Sequence, residues 1–183
     1  MSAIIVTNSG RYVDLANPQP DMICIEDIAH HLSYINRFTG AANRGYSVAS
    51  HSLYVANLVE PKYQLQALLH DATEAYLGDV SSPLKSILPG YRLLERQMHA
   101  AIAAKFGIEP ILPEEVHHAD RQAYVRERSI LFDKGAPACD DPDYAVYGSV
   151  EMPTAWLVSF SPEAIKDRFM RKFNELYASK DAA

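Results

Sequence analysis

The sequence lacks several features that define whole classes of protein. Its 183 residues include only two cysteines, Cys24 and Cys139, and no CxxC pair, so we expect neither a disulfide framework nor a cysteine-rich metal site. No apolar run approaches the roughly 20 residues of a membrane span, and the N-terminus has no basic segment leading into an apolar one. The formal net charge of −6 argues against a broad nucleic-acid or anionic-membrane surface. We therefore predict a cytoplasmic protein that binds neither nucleic acid nor membrane.

The length and composition are those of one globular domain. Hydrophobic residues make up 48% of the chain and charged residues 22%, both ordinary values. A domain of this size buries roughly 70% of the surface that its unfolded chain exposes. No internal repeat or low-complexity segment divides the chain, so we predict a single domain over residues 1–183.

Local patterns predict an all-α domain of six or seven helices with a short N-terminal β-hairpin. Two β-prone runs, AIIVT and RYVDL, flank an Asn-Ser-Gly turn signal. Apolar periodicity, N-cap residues and terminal glycines then predict helices over about 25–38, 48–59, 61–77, 91–106, 113–132 and from 162 onward. Residues 134–160 are rich in Pro, Gly and Asp and are predicted to form an ordered loop excursion.

Residues 70–85, HDATEAYLGDVSSPLK, concentrate the chemically useful side chains. His70 and Asp71 can supply two metal ligands from one helix end. Glu74 lies four residues after His70, so on a continuous helix it would project from the same face, one turn on. A carboxylate beside a metal is what a metal-activated water needs as its base. The alternative is a solvated helix end with ordinary caps, and this segment alone does not decide between the two.

Two residues outside this segment are further candidates for metal ligands. His51 lies among small residues in SVASHSLYVA, a pattern that leaves room for a directed side chain but also suits close helix packing. Asp120 lies within a helix, where aspartate has poor propensity, so it either faces water or has a specific partner. His117, three residues earlier, is a rival ligand on the same helical face. Three histidines without an identifiable acidic partner are predicted to pack on helix surfaces: His30, His31 and His99.

The order His51, His70-Asp71 and Asp120 resembles the ligand pattern of the HD-domain metal phosphohydrolase superfamily. The likeness extends to RFTGAANRGYSVASHSLYVA around His51, to EVHHADRQAYVRERSILF around Asp120 and to the C-terminal PTAWLVSFSPEAIKDRFMRKFNEL. LLHDATEAYLGDVSSPLK is similar, almost position by position, to the His-Asp segment of bacterial 5′-deoxynucleotidases and phage dATP triphosphohydrolases. The resemblance covers roughly residues 11–178 and implies a single helical HD domain.

The resemblance also implies a metal site and a base. The implied ligands of a divalent transition metal are His51, His70, Asp71 and Asp120. Two imidazoles and two carboxylates suit cobalt, manganese or zinc better than magnesium or calcium. A second ion arriving with the substrate phosphates is compatible with this pattern. Glu74 would orient or deprotonate the attacking water.

Further residues would recognise the substrate if the resemblance holds. Asp79 would act in catalysis by accepting a hydrogen bond from the sugar 3′-hydroxyl, or would only cap the turn after its helix. Arg37 would contact the phosphates. Phe38 stands where many relatives have tryptophan and would stack on the base, or belongs to the core. Lys85 would meet a polyphosphate tail, or is a solvated turn lysine. Arg44 is an additional phosphate candidate.

The sequence departs from its apparent relatives at two positions. Ser50 precedes the first histidine, where many relatives carry Glu. Gly40 lies where a phage dATP triphosphohydrolase has a bulkier apolar residue against the purine, so the sequence gives no basis for rejecting a 2-aminopurine.

The favoured function from the sequence is a dATP-preferring triphosphohydrolase that releases deoxyadenosine and phosphates. The alternatives are a 5′-deoxynucleotidase acting on monophosphates through the same centre and a non-catalytic, metal-binding HD module. We expect a small-molecule deoxynucleotide as partner and a homo-oligomer to which residues 134–160 contribute. If the chain is phage-encoded, the host cytoplasm is its compartment.

Overall fold

The computed structural model describes residues 3–132, 146 and 160–181. The predicted excursion over residues 134–160 and its proposed part in an interface therefore lie almost entirely outside the described residues, as does Cys139. The predicted class, an all-α domain with an N-terminal β-hairpin, is confirmed. Strands β1 (Ile4–Val6) and β2 (Tyr12–Asp14) pair antiparallel with Ile5 opposite Val13. Within the described residues no helix combines the length and apolar character needed to cross a membrane.

The helices surround a central helix, α2. Their bounds are α1 (Ile25–Tyr34), α2 (Val48–Leu58), α3 (Gln64–Leu69), α4 (Glu74–Leu77), α5 (Ser82–Ser86), α6 (Tyr91–Phe106), α7 (Glu114–Leu131) and α8 (Pro162–Asp181). Helix α2 packs against α1, α3, α7 and α8. It is apolar around most of its circumference, as a helix enclosed on several sides must be. Its Tyr54 and the Phe169 of α8 are among the largest fully buried side chains.

The predicted caps fix where two of these helices begin and end. The hydroxyl of Ser47 accepts a hydrogen bond from the Ser50 backbone N–H at 3.2 Å, which caps α2 one turn before His51. Gly107 ends α6 with φ of 59°, a left-handed conformation that favours glycine. The start of α2, and with it the position of His51, is therefore determined by local sequence.

The hairpin is attached to α1 through a buried aspartate. The carboxylate of Asp27 accepts hydrogen bonds from the Thr7 hydroxyl at 2.8 Å and from the Ser9 backbone N–H and hydroxyl, both at 2.7 Å. Burial by itself would raise the pKa of Asp27, but these hydrogen bonds outweigh burial and lower it. We name Asp27, Thr7 and Ser9 the hairpin junction.

The predicted end of the first helix is wrong. Helix α1 ends at Tyr34 rather than near Phe38, and residue 35 is already extended. The chain pairs there with the approach to α2: Arg37 N–H donates to the Tyr46 carbonyl at 2.9 Å, and Val48 N–H donates to the Ile35 carbonyl. These long-range hydrogen bonds replace those that another turn of helix would have supplied. They also hold Arg37 beside the N-terminal half of α2.

The continuous helix predicted over residues 61–77 is also wrong. Helix α3 ends at Leu69 and α4 begins at Glu74, and the intervening residues form turns in which Glu74 N–H donates to the Asp71 carbonyl at 3.0 Å. His70 and Glu74 therefore do not share a regular helical face. The turns nevertheless bring both side chains to the wall of one cavity.

Candidate metal centre

Three side chains from three helical segments converge at the centre of the domain. His51 comes from α2 and Asp120 from α7, and His70 directly follows the last residue of α3. The Nε2 atom of His51 lies 3.3 Å from the Nε2 atom of His70 and 3.0 Å from Oδ1 of Asp120. Nε2 of His70 lies 3.8 Å from the same oxygen. These three residues can hold a metal ion.

The spacing fits one small cation with nitrogen and oxygen ligands. Ligand atoms about 2.1 Å from a common ion lie roughly 3.0–3.4 Å apart in octahedral or tetrahedral geometry. Asp71 lies at the same place, with Oδ2 3.2 Å from Nε2 of His70 and 3.5 Å from Nε2 of His51. The donor set fits a transition metal, and Asp71 is close enough to act as a fourth ligand.

The hydrogen bonds on the far side of each imidazole orient both rings toward the centre. Nδ1 of His70 donates to the Ala67 carbonyl at 2.7 Å, since a carbonyl can only accept. Nδ1 of His51 donates to Oε1 of Glu127 at 2.8 Å. In the neutral rings the lone pairs on Nε2 therefore face each other and the carboxylates. Such a cluster of acceptors needs a cation between its members.

The charges of the centre lead to the same conclusion. Burial lowers the pKa of His70, but the charge of Asp71 and the hydrogen bond to Asp120 outweigh burial and raise that pKa well above its ordinary value. Burial raises the pKa of Asp120, but hydrogen bonds to the two histidines lower it well below its usual range. The centre attracts positive charge, whether a proton or a metal ion supplies it.

Glu127 is the residue that sequence reasoning missed. It is fully buried, and its carboxylate accepts hydrogen bonds from His51 and, at 2.9 Å, from the Tyr46 hydroxyl. Its Oε2 lies 3.2 Å from Nε of Arg37, within ion-pair range although the N–H bond is not aligned on the oxygen. The available signal was spacing: Glu127 follows Asp120 by seven residues, which is two turns along the same face of α7. One carboxylate thus orients both a candidate ligand and a candidate phosphate-binding arginine.

Two cavities open onto the centre. We name them by one residue each: the Arg37 cavity, of about 520 Å³, and the His99 cavity, of about 620 Å³. Both are lined by Asp71, Glu74 and Lys85. A substrate in either cavity would reach the centre past these three side chains.

Glu74 lies beside the cluster, on the wall of both cavities. The side chain is buried, and its Oε2 has no hydrogen-bond partner within the described residues. Burial, followed by the charges of Asp71 and Asp79, raises the pKa of Glu74 well above that of an ordinary carboxylic acid. This group therefore has a high affinity for a proton beside the centre.

Arg37 is fixed on the wall of the Arg37 cavity. Its Nη1 lies 3.4 Å from Oδ2 of Asp71, and Glu127 holds its Nε from the other side. Burial lowers its pKa, but the charges of Glu127 and Asp71 raise it further, so the guanidinium stays charged. The structure therefore provides a permanent cation at the place predicted for phosphate binding.

Phe38 is both a packing residue and a cavity residue. Its ring packs edge-to-face on Phe132, with centroids 5.3 Å apart, and it also lines the Arg37 cavity. Phe38 and Thr39 have φ of 57° and 51°, values that side-chain-bearing residues seldom adopt. Such strain is typical of binding-site walls. Packing of Phe38 against the core is confirmed, and its stacking on a base stays a prediction.

Of the other residues predicted to contact substrate, Asp79 and Lys85 line a cavity and Arg44 does not. Asp79 lines the Arg37 cavity and makes no hydrogen bond within the described residues, which does not support the capping alternative. Lys85 also lines both cavities but is ion-paired with Glu95 at 2.6 Å. Arg44 is exposed and lines neither cavity. His117 is exposed on the wall of the His99 cavity and does not belong to the metal cluster.

The three histidines predicted to pack on helices differ in role. The ring of His30 packs against Tyr34 with centroids 4.7 Å apart. His31 connects elements, since Nδ1 donates to the Ala75 carbonyl at 2.6 Å while Nε2 accepts from Asn8 N–H. His99 instead lines the cavity beside the centre, with its Nε2 buried and unpartnered within the described residues. No signal in its local sequence indicated this.

No family model matches the chain. The uncharacterized protein YfdR of Escherichia coli is 34% identical over 176 residues, which cover 95% of this chain and 96% of YfdR. The chain belongs to the YfdR family. An uncharacterized protein of Rhodobacter capsulatus is 40% identical over 125 residues, which cover 63% of this chain and 64% of that protein. These names state no activity for YfdR or for the Rhodobacter protein, so the function must be argued from the metal centre and its cavities.

Proposed function

We propose that this chain is a metal-dependent phosphohydrolase of the HD-domain type that acts on deoxynucleotides. The observation that carries the proposal is the convergence of four acceptor side chains beside a permanently charged Arg37 and a buried Glu74 whose Oε2 has no hydrogen-bond partner within the described residues. With neutral imidazoles these groups direct their acceptors at one point, so the cluster is satisfied only when protons or a metal ion add positive charge.

The metal would be held by His51, His70, Asp120 and, as the fourth ligand of the proposal, Asp71. Two nitrogens and two carboxylate oxygens favour cobalt, manganese or zinc. When bound, such an ion would lower the pKa of a coordinated water and polarise a phosphoryl oxygen. The half-buried Asp71 and Asp120 carboxylates would balance the charge of the ion.

The remaining residues would bind the substrate and move a proton. Glu74 would take the proton of the attacking water once the positive charge of a bound ion had lowered the pKa of its carboxyl group, which burial raises to about 9 in the ion-free centre. Arg37 would hold the phosphate oxygens against the centre. Asp79 would accept the sugar 3′-hydroxyl, and Phe38 would contact the base from the wall of the Arg37 cavity.

Two forms of this activity have separate support. The sequence resemblance favours a dATP-preferring triphosphohydrolase. The Lys85–Glu95 ion pair favours the second candidate, a 5′-deoxynucleotidase acting on monophosphates, because the cation predicted to meet a long phosphate tail is already neutralised. A non-catalytic module is disfavoured because it would have no need for a buried base beside the ligands.

The products of purified protein with each deoxynucleotide test the proposal. The protein is incubated with manganese or cobalt and each dNTP and dNMP, and the phosphates are separated by ion exchange. Release of intact tripolyphosphate from dATP supports the first form, and orthophosphate from dAMP supports the second. Absence of turnover with every nucleotide and both metals would contradict the proposal and favour a binding module.

Replacing Glu74 tests the proposed base directly. Glu74→Gln keeps the side-chain shape but removes the proton acceptor, so kcat should fall about 10²–10⁴-fold while the bound metal remains. Metal content is measured by plasma emission and kcat by phosphate release. Near-wild-type kcat in Glu74→Gln would exclude this residue as the base.

A further inference from the structure

Lys85 occupies the junction of three cavities. It lines the Arg37 and His99 cavities and also a third one of about 360 Å³, which we name the Arg92 cavity. The wall of this third cavity carries Arg92 and Arg96, one turn apart on α6. A phosphate chain that extended from the metal centre toward these arginines would have to pass Lys85.

The charge of Lys85 is compensated in the structure. Its Nζ lies 2.6 Å from Oε1 of Glu95, and both side chains are four-fifths buried, with 20% and 22% exposure. The same Nζ lies 3.7 Å from Oε1 of Glu74 and 5.6 Å from the ring centre of Tyr91. The contact with Glu95 is thus much shorter than the contact with Glu74. Partial burial weakens solvent screening, so this pair is stronger than an exposed one.

Glu95 has no role in the proposed chemistry, but its position indicates a role in the choice of substrate. It is the carboxylate on the wall of the Arg92 cavity, among Lys85, Arg92 and Arg96. A phosphate chain at Lys85 would either displace Glu95 or meet its negative charge. A single phosphate held at the metal centre by Arg37 would not displace Glu95 and would not meet its negative charge. The discrimination between substrates therefore depends on the number of linked phosphates.

We propose that Glu95 is a positioning residue that selects against long phosphate chains by holding Lys85 in an ion pair. This inference rests on the proposed function, because it assumes that the phosphate-bearing end of the substrate lies at the metal centre. It assigns to one carboxylate on α6 the preference for monophosphates over triphosphates. Removing that carboxylate should release Lys85 to bind the second and third phosphates.

The binding of inorganic phosphates tests the inference without requiring turnover. Manganese-loaded protein is titrated calorimetrically with tripolyphosphate and with orthophosphate, in a buffer that holds the free manganese concentration constant. In Glu95→Gln the affinity for tripolyphosphate should rise about tenfold, a usual size for coupling between adjacent sites, while the affinity for orthophosphate should change little. In the double variant Lys85→Met/Glu95→Gln the gain should disappear.

Glu60→Gln is the matched control. It removes the carboxylate of an exposed Lys–Glu pair, Lys62–Glu60, and gives the protein the same change in net charge. It should leave both affinities unchanged. An equal gain in Glu60→Gln, an equal gain for both phosphates in Glu95→Gln, or no tripolyphosphate gain in Glu95→Gln would overturn the role of Glu95.

The same variants separate this inference from the proposed function. In the manganese-loaded protein, Glu95→Gln should raise kcat/KM for dATP relative to dAMP. If no variant hydrolyses any nucleotide but Glu95→Gln still gains tripolyphosphate affinity, the proposed function fails and the role of Glu95 stands. If nucleotides are hydrolysed with an unchanged dATP-to-dAMP ratio, the function stands and the role of Glu95 fails.

Discussion

The hairpin junction and the metal centre are both polar clusters built around buried side chains, and they differ in how their hydrogen bonds are distributed. At the junction one carboxylate, that of Asp27, receives two hydroxyls and a backbone N–H. At the centre Nε2 of His51 faces Nε2 of His70 and the oxygens of Asp71 and Asp120. The junction pairs donors with acceptors, whereas the centre brings acceptors together.

This difference separates an architectural cluster from a chemical one. A buried polar group is stable when it is paired, and the junction is complete without any ligand. The acceptors of the centre are satisfied only when positive charge is added. The surrounding helices hold the side chains of the centre in place with or without that charge. Changes at the junction should therefore affect stability, and changes at the centre should affect binding and chemistry.

The largest effect is expected from His70→Ala. Losing one imidazole opens the three-residue cluster, so bound metal should fall to near background and any hydrolysis by at least about a thousandfold. Metal stoichiometry by plasma emission and phosphate release measure the two effects. His99→Ala is the control, because His99 lines the neighbouring cavity but is not part of the cluster. Equal metal loss in both variants would contradict the assignment of His70.

A smaller effect is expected from Glu127→Gln. The amide can still accept from His51, but it loses the charge that holds Arg37, so metal affinity should fall roughly 10–100-fold. Competition with a fluorescent chelator measures the dissociation constant. Tyr46→Phe removes only one donor to the same carboxylate and should change the constant less. A larger effect of Tyr46→Phe than of Glu127→Gln would mean that packing, not charge, orients the centre.

The smallest effect on chemistry and a measurable effect on stability are expected from Asp27→Asn. An amide cannot accept all three donors, so the free energy of unfolding at pH 7 should fall by about 1–3 kcal/mol while metal binding is unchanged. Because folding lowers the pKa of Asp27, its ionised form stabilises the protein above the ordinary pKa of 3.8, and this stabilisation is lost as the pH falls through the folded-state pKa. The gap between wild type and Asp27→Asn should therefore shrink at acidic pH.

Urea denaturation at pH 7 and at pH 3 checks this dependence. Asp21→Asn, an exposed aspartate before α1, should leave stability nearly unchanged at both pH values. A gap between wild type and Asp27→Asn that widened at pH 3 would show that the carboxylate of Asp27 is not stabilised by folding.

Much of the candidate site could be predicted from the sequence because two of its candidate ligands, His70 and Asp71, are adjacent in the chain and a third, His51, lies in a helix whose start is fixed by a local signal. Ser47 caps α2 one turn before His51, so the placement of that histidine follows from adjacent residues. At the end of α1 the prediction failed because a distant contact had replaced a local one. Pairing of residues 35–37 with residues 46–48 ends α1 early, and no periodicity in residues 25–38 encodes that pairing.

The residues that surround the ligands were the hardest to predict. In the sequence Glu127 is one charged residue among many in its helix, and its role is visible only from its contacts with Arg37 and with His51 of α2. From the sequence Lys85 is predicted to be solvated or to bind phosphate. Its ion pair with Glu95, ten positions later, is visible only in the structure. Such roles depend on which faces of separate helices meet, and local propensity does not contain that information.

The sequence by itself determined the helical class, the hairpin, the caps of α2 and α6, and the candidate ligands His51, His70, Asp71 and Asp120, because each depends on short-range patterns or on motif order. Only the tertiary structure decided that each of the two imidazoles lies within 4 Å of the other and of both carboxylates, that Glu127 orients His51 and Arg37, and that Lys85 is neutralised by Glu95. The physical reason is that hydrogen bonds and ion pairs in a buried site are made across helices.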